Sequence, residues 1–230
     1  VVSKIMVFEY LESKKEKEHD ESLINISAIG GCKLKIFLEK KGIYKEEYST
    51  SLKRIFRVGD AFHSLIYNEI IEKSYESGIR IVTSEADVKD EKNKIKGRVD
   101  CIISDGRELM VLDIKSCSAW SFDKYQKGEI PKTYIWQIQL YLHILGYKKG
   151  ILLFVNKNTS KTFEFDIEYN EQFVNEILEE IDKFYKDMEN NIPPAVCTSE
   201  FPCAACEYYK KNEIEILNKL KEDTKGKKER

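Results

Sequence analysis

The chain is 230 residues long, 42% hydrophobic and 11% aromatic, with a formal net charge of −2 at pH 7. That length and apolar content allow one substantial core, so a single domain with a small appendage is expected. Four prolines and eleven glycines exclude a low-complexity or collagen-like chain, and the near-neutral balance supplies no overall positive field for nucleic acid.

No apolar run approaches the roughly 20 residues of a membrane span. The first residues lack the charged leader of an export signal, so the six cysteines read as thiols or metal ligands rather than disulfides. A soluble, cytoplasmic protein is expected. The charged run at 11–22, LESKKEKEHDES, reads as a linker or frayed helix end. From Leu23 to Lys41, Ile26, Ile29, Leu34, Ile36 and Phe37 predict a helix, interrupted or bent near Gly30-Gly31. Lys33, Lys35, Lys40, Lys41, Lys45, Lys53, Arg54 and Arg57 outnumber the acids around them, which by itself reads as a solvated basic face. Leu52 to Tyr75 is a stronger helix, with Ile55, Phe62, Leu65, Ile66 and Ile70 at helical spacing.

Strand signals follow over 79–88, 94–103 and 108–115, with Asp105-Gly106 as a hairpin turn. A loop containing Gly128 and Pro131 is expected next, then an amphipathic helix over Thr133–Leu145. A second hairpin (Ile151–Val155 and Thr162–Ile167, around Asn158) leads to a helix over Glu171–Met188 that stops before Pro193-Pro194. This order predicts an α/β or α+β fold, a mixed central sheet flanked by helices. The expected organisation is a charged segment over 1–22, a core over 23–192, and a cysteine-bearing loop with a C-terminal helix over 193–230, packed on that core.

The stretch GRVDCIISDGRELMVLDIKS, residues 97–116, carries the chemistry. A two-residue turn would pair Asp100 with Val111 and put Asp113 and Lys115 on the same face. A four-residue loop would set Asp100 directly opposite Asp113 and keep that face, whereas a three-residue loop would break it. Two carboxylates flanked by Val111, Leu112 and Ile114 repel each other, and burying them is costly unless they are paired or bind a metal. Oxygen ligands of this kind suit Mg²⁺ or Mn²⁺, and the Ile114 carbonyl is a natural further ligand. The ordinary alternative is an exposed hairpin edge with an Asp113–Lys115 surface pair.

With its flanking elements the array resembles the PD-(D/E)xK nuclease superfamily, in its RecB-like branch, which includes nuclease domains of recombination helicases and CRISPR-adaptation exonucleases. GDAFH (Gly59–His63) looks like the histidine-bearing helix motif, GRVD (Gly97–Asp100) like the first acidic motif, and LDIKS (Leu112–Ser116) like the D-x-K motif. QIQLY (Gln137–Tyr141) matches the Q-x-x-x-Y helix, and the resemblance runs from about Ser27 to Cys206. It implies a restriction-endonuclease-like core with Mg²⁺ or Mn²⁺ at His63, Asp100, Asp113 and the Ile114 carbonyl. Lys115 would position or help deprotonate the attacking water. Gln137 and Tyr141 would touch the DNA backbone or orient the lysine, although Tyr141 could equally be packing. His63 alone would read as a core-boundary histidine, and His143 matches no motif and is left as structural.

Cys101 and Cys117 read as small core residues. Cys197, Cys203 and Cys206 crowd into one loop, and C-x-x-C clusters favour zinc or an iron–sulfur centre. Many members of the branch carry a [4Fe–4S] cluster on one early and three late cysteines, and Cys32 looks like the early one. The usual last ligand falls near Asn212, so Cys197 would supply the fourth thiolate in a changed order. Zinc on the same ligands, or free thiols, are the alternatives. The implied activity is exonucleolytic hydrolysis of DNA, single-stranded or with free ends, in recombination, repair, phage or CRISPR contexts, with a helicase or nuclease partner. A structure-specific endonuclease and a non-catalytic DNA-binding module are the competing readings.

Overall fold

The computed structural model describes residues 22–198 and 203–228. The charged segment expected over 1–22 lies, apart from Ser22, outside the described residues. A two-residue strand, β1 (Ile24–Asn25), runs straight into α1 (Ile26–Ile29), and α2 (Lys33–Lys40) follows the anticipated bend at Gly30-Gly31. Glycine is required there, because a Cβ on Gly30 would sit 2.7 Å from the Thr133 Cα. Then comes α3 (Thr50–Ser77), which begins where the Ser49 side chain accepts from the Leu52 N–H and ends at left-handed Gly78.

Three antiparallel strands follow, β2 (Arg80–Asp90), β3 (Ile95–Ser104) and β4 (Leu109–Cys117). After them come α4 (Ala119–Gln126), α5 (Lys132–Leu145), the hairpin β5 (Lys149–Asn156) and β6 (Thr162–Glu168), α6 (Glu171–Glu189) and α7 (Ala204–Lys228). The result is a mixed six-stranded sheet flanked by helices, since β4 pairs parallel with β5 and the hairpins pair antiparallel. Among the described residues no helix is long and apolar enough to cross a membrane.

β3 carries β2 along one edge, and its other edge is divided. β1 pairs there with Ile95 and Lys96, and β4 pairs with Cys101 to Ser104. Among the described residues, the backbone of 97–100 therefore has no strand partner on that side. Val99 and Cys101, two residues apart, pack into opposite cores, so the strand departs from regular alternation around Asp100.

The cores explain the helix placement. On one face, Ile66 of α3 packs on Cys101, Ile103, Leu112 and Ile114. On the other, Ile138 and Leu142 of α5 meet Val111, Leu152 and Phe154, with α1 and α6 laid over α5. α6 contributes Val174, Ile177, Ile181 and Phe184, a helical stripe.

Several expectations change. α5 is buried all along Trp136 to Leu142 rather than on one face, because it lies between the sheet and a second helix layer. The loop expected after Lys115 contains α4, capped by Ser118 and held by the single buried residue Phe122. In α3 only Ile66 is buried, and Ile55 and Leu65 face solvent despite their periodic spacing. Ser104 pairs with Leu109, so the hairpin loop has four residues, with Asp105 accepting from the Arg107 and Glu108 N–H groups.

Candidate active site where two strands part

Carried one step past Cys101↔Leu112, the hairpin register sets Asp100 across from Asp113. The strands have begun to separate there. The Ile114 N–H donates to Asp100 Oδ2 at 2.8 Å, and the Tyr67 hydroxyl donates to the Asp100 carbonyl at 2.8 Å. His63, one turn before Tyr67 on α3, brings Nδ1 to 3.8 Å from Asp100 Oδ2.

Asp113 is fully buried, and neither of its carboxylate oxygens makes a hydrogen bond. Lys115 Nζ stands 2.8 Å from Asp113 Oδ2, an ion-pair distance at an angle outside hydrogen-bond geometry. The same ammonium donates to Gln137 Oε1 at 3.1 Å and lies 5.1 Å over the Tyr134 ring. The Gln137 amide in turn donates to the Tyr141 hydroxyl at 3.2 Å, which donates to the Arg98 carbonyl at 2.8 Å. This fixes the amide orientation, because a hydroxyl that gives its proton to Arg98 can only accept from Gln137. The chain of bonds ends on the stretch of β3 that lacks a strand partner.

Gly97 is what admits that wedge. A Cβ there would approach Tyr141 Cε1 to 2.8 Å and the hydroxyl to 3.0 Å. Tyr141 is 1% exposed, so its hydroxyl cannot reach a DNA backbone; it holds Gln137, and Gln137 holds the lysine. Of the expected site residues, His63, Asp100, Asp113, Lys115, Gln137 and Tyr141 thus form one connected group. Ile114 joins it through its N–H, with its side chain in the core beneath α3. Sequence reasoning passed over Tyr67 and Tyr134, although Tyr67 lies four residues after His63 and Tyr134 three before Gln137, both on shared helix faces. His143 contacts the Tyr169 hydroxyl at 2.9 Å, away from this group.

Burial, reinforced by the charge of Asp113, pushes the Asp100 carboxyl up to about 6. Burial would lower the Lys115 ammonium, but the Asp113 and Asp100 charges outweigh it and raise the value. Burial pushes the Tyr141 phenol up to about 12, so it stays a neutral donor. Two adjacent carboxylates, one pushed up by burial and the other carrying unbonded buried oxygens, are a donor set that a hard divalent cation fits. His63, the Asp100 and Asp113 carboxylates and the Ile114 carbonyl are the groups that would hold it.

A second cluster lies where α2 meets the start of α7. Cys32 caps α2, Cys197 follows Pro193-Pro194, and Cys203 and Cys206 open α7. Their four sulfur atoms all lie within 4.8 Å of one another, with Cys32 and Cys206 at 3.4 Å. Burial raises the Cys32 and Cys206 thiols, which disfavours thiolates there unless a metal compensates. The set is compatible with a [4Fe–4S] cluster, and the same thiolates would suit zinc. Asn212 is turned elsewhere: its amide donates to the Tyr208 carbonyl one turn back in α7, at a residue whose backbone leaves helical geometry. Cys101 and Cys117 are buried among core side chains, as expected.

A family model described as the PD-(D/E)XK nuclease superfamily matches residues 66–210. The chain is 30% identical over 167 residues to the uncharacterized protein YqaJ of Bacillus subtilis (strain 168), a match covering 69% of this chain and 50% of that protein. It therefore spans about half the length of that relative. It is 25% identical over 186 residues to the CRISPR-associated exonuclease Cas4 of Saccharolobus solfataricus, covering 76% of this chain and 86% of that one. Among solved structures, SSO0001 superposes with a TM-score of 0.55 at 20% identity, covering 87% of this chain and 98% of that one. The alkaline exonuclease LHK-Exo from Laribacter hongkongensis gives 0.54 at 15% identity, covering 85% and 95%. These two likenesses are of fold.

Proposed function

The chain belongs to the PD-(D/E)XK nuclease superfamily, and we propose that it is a divalent-metal-dependent DNA exonuclease acting on single strands or free ends. The observation that carries this reading is the buried Asp113 carboxylate, free of hydrogen bonds, beside Asp100 and Lys115. The exonuclease names of Cas4 and LHK-Exo support the choice of an end-directed activity. Mg²⁺ or Mn²⁺ would be held by Asp100, Asp113, His63 and the Ile114 carbonyl, and when bound supplies Lewis acidity to a phosphate oxygen and acidity to its water.

The remaining chemistry belongs to the side chains. Lys115 holds the attacking water and offsets charge on the phosphate. Gln137 holds the Nζ in that position, and Tyr141 holds Gln137 while donating its own hydrogen bond to the fixed Arg98 carbonyl. Gln137 and Tyr141 are positioning residues in this scheme. A helicase or nuclease partner is part of the same proposal.

Oligonucleotides labelled separately at each end, incubated with Mn²⁺ and with EDTA, provide the test. Metal-dependent ladders starting from one end are expected. Discrete internal bands would mean an endonuclease, and a shifted but uncut band would mean a binding module.

A further inference from the structure

α3 crosses β4 at Gly59, where a Cβ would lie 3.6 Å from Ser116 Oγ, the residue after Lys115. Before that crossing the helix leaves the body of the protein. Ile55, Phe56 and Val58 are about half exposed there (52%, 50% and 47%), and Lys53, Arg54 and Arg57 are exposed with no ion pair among the described residues. Asp60 is the one acid between Thr50 and Phe62.

Phe56 precedes His63 by seven residues, so it stands on the same face of α3, two turns farther out, at about 10 Å along the axis. Its ring meets Tyr48 edge-on, with centroids 5.4 Å apart and an interplanar angle of 84°. Tyr48 also lines a cleft of about 1010 Å³ whose walls bring in Lys40, Lys41, Lys45 and Lys96 beside Glu39 and Glu46, two acids that Lys35 pairs with. Aromatic faces and cationic side chains thus run on from the histidine.

We propose that the outer turns of α3, with Phe56 and Tyr48 as a stacking platform and Lys53, Arg54 and Arg57 as phosphate contacts, guide single-stranded DNA toward the carboxylates. This rests on the nuclease reading of the site. Charge complementarity selects a polyanion. The aromatic pair selects a single strand, because bases in a duplex already stack on one another and offer no free face. A second protein copy or an apolar partner would leave three adjacent cations without a purpose.

The test is anisotropy of a labelled oligothymidylate, in EDTA so that no cleavage occurs, with the wild type, Phe56→Ala and Arg57→Glu. Circular dichroism establishes that the variants are folded; Arg57 is exposed, so its variant guards against loss of fold at Phe56. We expect each substitution to weaken single-strand binding about tenfold, and Arg57→Glu to flatten the salt dependence. Binding equal to wild type in both folded variants would overturn the inference, as would equal wild-type affinity for duplex. A changed sedimentation coefficient with unchanged DNA binding would overturn it in favour of an interface between copies. Wild-type hydrolysis of bis(p-nitrophenyl) phosphate with Mn²⁺ is measured alongside. Its absence would count against the nuclease reading and leave the binding result to decide the guide.

Discussion

Asp113 and Lys115 stand two residues apart on one face of β4, with 2.8 Å between Oδ2 and Nζ, and the carboxylate is fully buried without a hydrogen bond. A buried ion pair whose carboxylate has no hydrogen bond of its own seldom offsets its desolvation. The arrangement makes sense as a site built for a ligand rather than for stability. Asp113→Asn is therefore expected to leave thermal stability equal or slightly higher while lowering cleavage by at least about a hundredfold. Lys115→Ala should lower cleavage similarly but destabilise the fold, since it leaves Asp113 charged and unpaired. Melting curves and single-turnover cleavage separate the two effects. Cleavage at wild-type rates by either variant would mean that the site has been misplaced.

Gln137 and Tyr141 act one step back from the chemistry. Tyr141→Phe removes one buried hydrogen bond to the Arg98 carbonyl and leaves the Gln137 amide short of an acceptor, a loss of about 1–2 kcal/mol. Turnover should fall with it, while calorimetric metal affinity stays unchanged, because neither residue touches the carboxylates. Gln137→Ala should behave likewise in turnover. Loss of metal binding equal to that of Asp100→Ala would exclude a positioning role.

Gly97 is expected to tolerate no side chain. Its Cβ would meet the Tyr141 ring at 2.8 Å and Ile26 Cδ1 at 3.2 Å, and Tyr141 is pinned from both ends. Gly97→Ala should cost about 1–3 kcal/mol by overpacking. Combined with Tyr141→Ala the cost of the glycine substitution should largely vanish, which a double-mutant cycle measures.

The Asp100 carboxyl, pushed up to about 6 by burial and by Asp113, gives a pH signature. In the unfolded chain the value is about 3.9, so the folded protein binds this proton more tightly. Its stabilising effect is fully present below about pH 4 and is lost as pH rises through about 6, by at most about 3 kcal/mol. Without divalent metal, Asp100→Asn should melt above wild type at neutral pH, and the gap should close on acidification. A gap independent of pH would contradict the assignment. Metal affinity runs the opposite way, falling as pH drops and protons compete for the carboxylate.

Much of this site is readable from local pattern. Period-two alternation puts Asp113 and Lys115 on one face, and either even-length loop keeps Asp100 with them. The choice of a four-residue loop needed the Asp105 side chain, which caps two N–H groups and makes the longer turn self-sufficient. The place of Tyr141 was not legible. It depends on the interval along β3 between β1 and β4, and a two-residue strand such as β1 has no periodic signal. α4 was missed because it anchors a single buried residue, Phe122. The exposure of Ile55 and Leu65 on α3 was not legible, because periodicity reports an apolar stripe and says nothing about what covers it.

The four-cysteine cluster offers a prediction independent of cleavage. Cys32 is remote in sequence from Cys197, Cys203 and Cys206, and its helix α2 packs on α7, so a shared metal would pin the two ends of the described chain together. Closing so long a loop costs chain entropy, which metal–thiolate bonds offset because the site hardly exists in the unfolded state. Serine at any one of the four should lower metal content and melting temperature together, whereas Cys117→Ser should spare the metal. Asn212→Ala should also spare it, since that amide serves its own helix. Anaerobic preparation followed by elemental analysis decides the metal: a brown protein carrying iron and sulfide indicates [4Fe–4S], and a colourless one carrying zinc indicates a single tetrahedral ion. Four alkylatable thiols in a folded, metal-free protein would exclude both, and Asn212 would then mark the loss of a ligand that Cys197 has not replaced.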